Sequence, residues 1–149
     1  MVPANDTISL LYSAYNAHDA AAAAKLYVSE GWLEETATGR RRLGRDALCD
    51  GLQRLFAMLP DVTWVERERI RSGNSIVVCY TMTGHLAVDL GPIRGVGQPI
   101  VLPGIHVFEL AEGGIAGTRD YWDAGAFQRQ AREGQAPESR PQVGSGAVA

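Results

Sequence analysis

The strongest constraint on the fold is a change in the spacing of apolar residues near Asp61. Before it, apolar residues recur every three or four positions, as in Leu48, Leu52 and Leu55. After it, they alternate with polar residues, as in "VTWVERERIR" and "SIVVCYTMTGHLAV". The first spacing is typical of amphipathic helices and the second of half-buried strands. The chain is therefore predicted to form helices first and a sheet afterwards, which is an α+β architecture.

Three helices are predicted in the first part of the chain. The segment "NDTISLLYSAYNAHD" predicts the first, Asp19 caps a second through "AAAAAKLYV", and "RDALCDGLQRLFAML" predicts a third. A short strand over 32–36 and the polar turn "ATGRRRLG" separate the second helix from the third. Arg40, Arg41 and Arg42 in that turn are expected to lie in a solvated loop.

Four long antiparallel strands are predicted next, followed by a short helix, "AGAFQRQAR", that Asp123 caps. Pro103 and Gly104 within the third of these strands predict a bulge or bend that curves the sheet. We expect a curved antiparallel sheet that forms a cone-shaped barrel on the three N-terminal helices, with a cavity inside. Residues 1–130 are predicted to form this single domain, and residues 131–149 a flexible C-terminal tail.

Composition narrows the possible partners. A net charge of −3 over 149 residues provides no field that would attract nucleic acid or an anionic membrane. The chain has neither an apolar run of about eighteen residues nor a basic leader, so a cytoplasmic protein is expected. Cys49 and Cys79 lack paired spacing and the three histidines are scattered, so no metal site is predicted. Apolar residues on the uncovered sheet face predict a homodimer.

The segment "EGGIAGTRDYWD" determines how the last two strands pair. A three-residue turn over 112–114 would place Ala111 opposite Ile115, and counting back along both strands then places His106 opposite Asp120. The Cβ atoms of such a pair lie about 4.5 to 5.5 Å apart. A slip of one residue would send the two side chains to opposite faces, so this prediction depends on the turn.

Asp120 has the parity of Trp122 and should share its inward face. A carboxylate that loses hydration on an apolar face becomes a better proton acceptor, which indicates a general base. A structural carboxylate that caps an amide or pairs with an arginine fits the same pattern. His106 is a candidate to hydrogen-bond a carbonyl or enolate oxygen or to shuttle a proton. A core histidine with internal partners is the alternative.

Further substrate-binding candidates come from the strands and the first helix. Glu34 alternates with Trp32 and Thr36 and is a candidate for the same cavity, although a surface glutamate is the commoner outcome. The remaining candidates predicted to face the cavity are Tyr15, His85, Phe108 and Trp122. The chain has no GxGxxG, phosphate-loop or GxSxG motif, so nucleotide binding and a serine nucleophile are not expected.

From about Thr7 to Gln130 the chain resembles the cone-shaped α+β fold shared by ketosteroid isomerase, scytalone dehydratase, limonene epoxide hydrolase and the SnoaL-like polyketide cyclases. The segments that carry the resemblance are "NAHDAAAAAKLYVSE", "LGRDAL" and "GIHVFELAEGGIAGTRDYWD". In the cyclases, a histidine on the penultimate strand binds substrate and an aspartate fourteen residues later is the general acid/base. His106 and Asp120 match that spacing. The resemblance implies cofactor-independent, aldol-type cyclisation or isomerisation of an apolar, carbonyl-bearing, polyketide-like intermediate in secondary metabolism.

The resemblance to epoxide hydrolases implies a different set of partners. There the matching aspartate works with an arginine and a second aspartate on the preceding strand and with a tyrosine and an asparagine on the first strand. This sequence has Thr83, His85, Glu34 and Thr36 at the corresponding positions, which adds Thr83 to the substrate-binding candidates. Epoxide opening by a rearranged set of Asp120, Glu34 and His85 is the alternative function. A non-catalytic small-molecule-binding module is a further alternative, because one fold hosts many functions.

Overall fold

A computed structural model describes residues 3–135, and in this part of the chain helices pack against a six-stranded sheet. The predicted α+β class is confirmed. The helices are α1 (Ala4–Asn16), α2 (Ala20–Lys25), α3 (Arg45–Met58) and α4 (Ala124–Gly134). The strands are β1 (Tyr27–Glu35), β2 (Arg40–Leu43), β3 (Thr63–Ser72), β4 (Ser75–His85), β5 (Pro99–Ala111) and β6 (Gly114–Trp122).

The sheet is mixed rather than wholly antiparallel. Its strand order is β2-β1-β6-β5-β4-β3, and β1 pairs with β6 in parallel while all other neighbours are antiparallel. β1 and β6 are not joined by a tight hairpin, so nothing in their connection requires them to pair antiparallel. The described strands form an open sheet with β2 and β3 at its edges, not the closed barrel that was expected.

The arginine-rich turn contains a strand that the sequence did not indicate. Residues Arg40–Leu43 pair with the end of β1 instead of forming a solvated loop. Alternate side chains of this short strand take different partners, because successive residues of a strand point to opposite faces. The Arg42 guanidinium lies 3.2 Å from the Glu35 carboxylate, whereas the Arg41 guanidinium lies 4.6 Å from the centre of the Trp32 ring.

Both predicted aspartate caps are present. The Asp19 carboxylate accepts a hydrogen bond from the Ala22 N–H at 3.0 Å, and Asp123 accepts one from the Ala126 N–H at 3.1 Å. Each satisfies an amide at the start of a helix that would otherwise lack a partner. The capped helix α4 extends to Gly134, so the domain continues past the boundary expected at residue 130.

The end of α4 is packed rather than free. Ala131 is fully buried, and its carbonyl accepts a hydrogen bond at 2.8 Å from the side-chain amide of Gln98, just before β5. The predicted tail therefore begins too early at residue 131. The rest of that predicted segment, residues 136–149, lies outside the described residues.

The inner face of the sheet forms the core together with α1, α2 and α3. Its centre includes Leu11, Leu59, Ile76, Ile100 and Phe108, all inaccessible to solvent. Every second residue of β4 and β5 contributes to this core, because side chains alternate between the two faces of a strand. Between residues 3 and 135, no helix is long and apolar enough to cross a membrane.

Candidate active site

The hairpin of β5 and β6 places His106 directly opposite Asp120, with Phe108 opposite Thr118 on the same face. This is the register expected from the sequence. The His106 Nε2 atom lies 3.5 Å from Asp120 Oδ2. A carboxylate and an imidazole are therefore neighbours on the inner face of the sheet.

The turn that produces this register differs from the predicted one. Ala111 pairs with Gly114, so the turn has two residues, 112–113, rather than three. Gly113 adopts a φ of +94°, a backbone conformation that glycine reaches without steric cost. A bulge after the next residue pair adds one residue to β6. Because the bulge supplies the residue that was assigned to the turn, the two candidate catalytic side chains remain opposite.

Tyr80 is the second partner of Asp120, and the sequence pattern did not indicate it. Its hydroxyl donates a hydrogen bond of 2.7 Å to Asp120 Oδ1. Burial, followed by the negative charge of Asp120, raises the pKa of Tyr80 well above its ordinary value. The phenol therefore remains protonated near neutral pH and acts as a donor to the carboxylate.

Gly104 allows this contact to form. Tyr80 lies on β4 and Asp120 on β6, so the phenol must pass over the intervening strand β5. Gly104 is the β5 residue opposite Tyr80, and a Cβ atom there would collide with the Tyr80 hydroxyl and ring. A bulge or bend was expected at Pro103 and Gly104, and the uninterrupted pairing of β5 with β4 shows that no bulge forms there. A glycine within a strand can mark a close approach, which is the signal that points to Tyr80.

His106 is buried and held from its other side. The Tyr12 hydroxyl lies 2.6 Å from its Nδ1 atom, and the ring packs against the rings of Tyr80 and Phe108 with centroids 4.5 and 5.3 Å away. Because Nε2 faces the Asp120 carboxylate, we assign a proton to Nε2 and let Nδ1 accept from Tyr12. Burial raises the pKa of Tyr12 well above its ordinary value, so its hydroxyl keeps the proton that this assignment needs.

A cavity of about 320 Å³ opens between α3 and the inner face of the sheet, and Asp120 lies on its wall. His106 and Tyr80 line the same wall. Two further sequence candidates, Tyr15 and Trp122, also line the cavity. Its other lining side chains are largely apolar and include Met82, Leu102, Leu52 and Phe127. Asp120 and two neighbouring polar side chains therefore face a mainly apolar pocket.

Two candidates on β4 lie away from this cavity. Thr83 and His85 have the parity opposite to that of Tyr80, so they belong to the outer face of the sheet. The His85 side chain is exposed and pairs with Asp61, and the hydrogen bond from His85 lowers the pKa of Asp61. Neither residue is therefore available to bind a substrate beside Asp120.

The candidates on the first strand are also displaced from the cavity. Leu33 and Glu35 line it, whereas Glu34 and Trp32 face outward. Trp32 and Glu34 share a face as the sequence suggested, but it is the outer one. The pairing of β1 with β6 is irregular between Tyr27 and Trp32, and beyond it Leu33 and Glu35 face the cavity.

Thr36 and Phe108, the remaining candidates, do not line the cavity and have structural roles instead. Thr36 follows the end of β1, is exposed, and donates through its hydroxyl to the backbone carbonyl of Asp120 at 3.0 Å. Phe108 is completely buried and packs against the ring of His106. Thr36 therefore supports the backbone of the site, and Phe108 supports the imidazole from within the core.

Glu35 is a second carboxylate in the cavity, one position along from the predicted Glu34. Glu35 lies beside Asp120 in the parallel backbone pairing of β1 with β6. Its charge is compensated by the Arg42 guanidinium at 3.2 Å, whereas Asp120 has Tyr80 and His106 as its partners. Among residues 3–135, the histidine, cysteine and acidic side chains form no group of three that could hold a metal ion.

The described residues have the ketosteroid isomerase-like fold. Residues 8–118 match the SnoaL-like domain, and the chain belongs to the SnoaL-like family. No curated protein matches the chain.

Three solved structures illustrate the shared fold. A ketosteroid isomerase-like protein from Catenulispora acidiphila, in complex with trimethylamine, has 18% identity and a TM-score of 0.76 over 87% of this chain and 94% of its own. IdmH from Streptomyces antibioticus, a suggested polyketide cyclase, has 19% identity and a TM-score of 0.75, and the match covers 87% of this chain and 98% of IdmH. A suggested polyketide cyclase from Xanthomonas campestris has 21% identity and a TM-score of 0.75, and the match covers 86% of this chain and 96% of that protein. At these identities the similarity shows the fold.

Proposed function

We propose that the protein is a cofactor-independent acid/base enzyme of secondary metabolism. It cyclises, by an aldol-type reaction, or isomerises an apolar, carbonyl-bearing, polyketide-like intermediate. The observation that carries this proposal is Asp120, a carboxylate on the wall of a mainly apolar cavity that accepts a hydrogen bond from Tyr80 and has the His106 imidazole 3.5 Å away. Membership of the SnoaL-like family and the fold shared with suggested polyketide cyclases support it.

The reaction requires one group that both removes and returns a proton. Asp120 takes a proton from the carbon next to a substrate carbonyl, and the electron pair moves onto the carbonyl oxygen to form an enolate. Donors from Tyr80 and His106 stabilise that oxygen. The enolate carbon then attacks a second carbonyl, and the new alkoxide takes the proton back from Asp120. The product is an isomer of the substrate, and no atom is lost or gained.

Asp120 is better placed than Glu35 to take a proton from the substrate. The Glu35 carboxylate is already engaged by the Arg42 guanidinium at 3.2 Å. Asp120 has a phenol and an imidazole as its nearest donors. Protonation of Asp120 therefore does not leave a guanidinium without its counter-charge.

Epoxide opening is the second candidate function, and Glu35 is the observation that favours it. The rearranged set of Asp120, Glu34 and His85 is not assembled, because the latter two lie outside the cavity. Glu35 takes the place of Glu34 there, so two carboxylates line one cavity. In this alternative, Asp120 protonates the epoxide oxygen while Glu35 activates water.

Exchange of carbon-bound protons tests the proposal. The apolar ketone 2-tetralone is incubated with protein in D₂O, and deuterium incorporation next to the carbonyl is followed by NMR. Asp120→Asn should lower the catalysed rate by about 10²–10⁴-fold, the usual contribution of a general base. Glu34→Gln, a matched change on the outer face of the neighbouring strand, should leave the rate unchanged. Equal catalysed rates for Asp120→Asn and wild type would remove the base assignment.

Labelled water separates the two chemistries. An isomerising cyclase introduces no solvent oxygen at the reacting centre, whereas an epoxide hydrolase does. Protein incubated with indene oxide in oxygen-18 water is therefore expected to form no labelled diol beyond the spontaneous background. Diol formation that depends on both Asp120 and Glu35 would instead establish the hydrolase alternative.

A further inference from the structure

The mouth of the cavity differs in charge from its wall. His106 and Tyr80 are buried at the inner end, whereas Thr38, Arg40 and Arg54 line the cavity and are exposed. The exposed lining residues mark the side from which a ligand enters. Arginine is therefore prominent at the opening of a cavity whose interior is mainly apolar.

Arg42 also lines the cavity, and its position is fixed. Its guanidinium pairs with Glu35 at 3.2 Å, and its side chain crosses α3 at Gly51. A Cβ atom at Gly51 would collide with the Arg42 side chain, so this close approach requires glycine. Arg42 therefore compensates the charge of Glu35.

Arg40 and Arg54 have no such partner. Within residues 3–135, neither guanidinium has a carboxylate within 4.0 Å. Since Arg42 and Glu35 cancel each other, the lining of the mouth carries a net charge of about +2, in a chain whose net charge is −3. Arg40 and Arg54 lie on β2 and α3, so two separate elements contribute the uncompensated charge.

We propose that the substrate is an organic carboxylate whose anionic group binds Arg40 and Arg54 at the mouth. Its apolar body fills the cavity and brings a carbonyl group to Asp120, so this inference rests on the proposed function. A guanidinium offers a planar set of donors that matches the two oxygens of a carboxylate. The contact would orient an elongated substrate, because the charged end remains at the opening while the carbonyl end enters.

A matched pair of probes tests this proposal by direct binding. The probes are 6-acetyl-2-naphthoate and 6-acetyl-2-naphthamide, which share a ring system and a carbonyl group but differ in charge. Isothermal titration calorimetry should give a roughly tenfold lower Kd for the carboxylate, as charge-assisted hydrogen bonds predict. Arg40→Gln and Arg54→Gln should each reduce this preference, and the double variant should abolish it. The Kd of the amide should remain unchanged in all three variants.

Arg41→Gln is the control, because Arg41 lies on the same strand as Arg40 but packs over Trp32 on the outer face. It should retain the full preference, and an equal loss there would assign the effect to the general charge of the protein and overturn the proposal. Equal Kd values for both probes in wild type would also overturn it. The readout needs no turnover, so Asp120→Asn should keep the preference even if the exchange assay refutes the proposed base.

Discussion

Removing the Tyr80 hydroxyl should slow the exchange reaction. In Tyr80→Phe the ring still lies over Gly104, but Asp120 loses a donor at 2.7 Å. The same donor is assigned to the enolate oxygen in the proposed reaction, so that oxygen loses part of its stabilisation. A hydrogen bond to a charged acceptor contributes about 1.5–3 kcal/mol, and each 1.4 kcal/mol corresponds to a factor of about ten in rate. The catalysed rate of 2-tetralone exchange should therefore fall by about 10–100-fold.

Two comparison variants separate this effect from a general disturbance of the site. Tyr121→Phe removes a hydroxyl from the same strand as Asp120 but on the exposed outer face, so its exchange rate should match wild type. Gly104→Ala keeps the Tyr80 hydroxyl but displaces it, since the new methyl group would occupy its position. It should lower the exchange rate in the same direction as Tyr80→Phe. An unchanged or raised rate in Tyr80→Phe would refute the role assigned to this donor.

Two further predictions concern stability and assembly. Burial, partly offset by the hydrogen bond to Thr118, raises the pKa of Tyr27 to about 12 from 10.0, so its stabilising contribution is complete below pH 10 and is lost as pH rises toward 12. Urea unfolding should show a loss of about 1 kcal/mol between pH 10 and 11 from this group, and Tyr27→Phe should flatten the slope; an equal slope would contradict the assignment. The uncovered outer face exposes Ile105 beside Tyr121, at 39% and 42%, so we expect a homodimer by light scattering and a monomer for Ile105→Glu. A wild-type monomer at micromolar concentration would contradict this prediction.

The hairpin that carries the site could be predicted because its constraints are local. Strand alternation and a glycine turn were enough to place His106 opposite Asp120. The prediction put the extra residue in the turn, whereas the structure has it in the bulge. Counting residues fixes only the sum of the turn and bulge lengths. The register beyond the bulge was therefore accessible from the sequence, whereas the location of the extra residue was not.

The other side chains of the site depend on contacts between distant segments. In "WLEE" both Trp32 and Leu33 are apolar, so alternation does not decide which of Glu34 and Glu35 faces inward. The decision comes from the irregular parallel pairing of β1 with β6, which joins residues more than eighty positions apart. Tyr80 was missed for a related reason, since its contact with Asp120 crosses a strand and depends on the absence of a side chain at Gly104.

The two side chains beside Asp120, a phenol and an imidazole, bear on the chemistry that the site favours. When Asp120 takes a proton, its oxygens become weaker acceptors, and the Tyr80 and His106 donors can turn to the enolate oxygen that has just formed. The same donors would then stabilise the carboxylate before proton transfer and the enolate after it, so their contribution follows the charge along the reaction. The guanidinium beside Glu35 is fixed by Gly51 and its ion pair, and has no comparable freedom. We therefore expect Asp120 to take the proton from carbon and return it to the product, with Glu35 holding its arginine in place at the mouth.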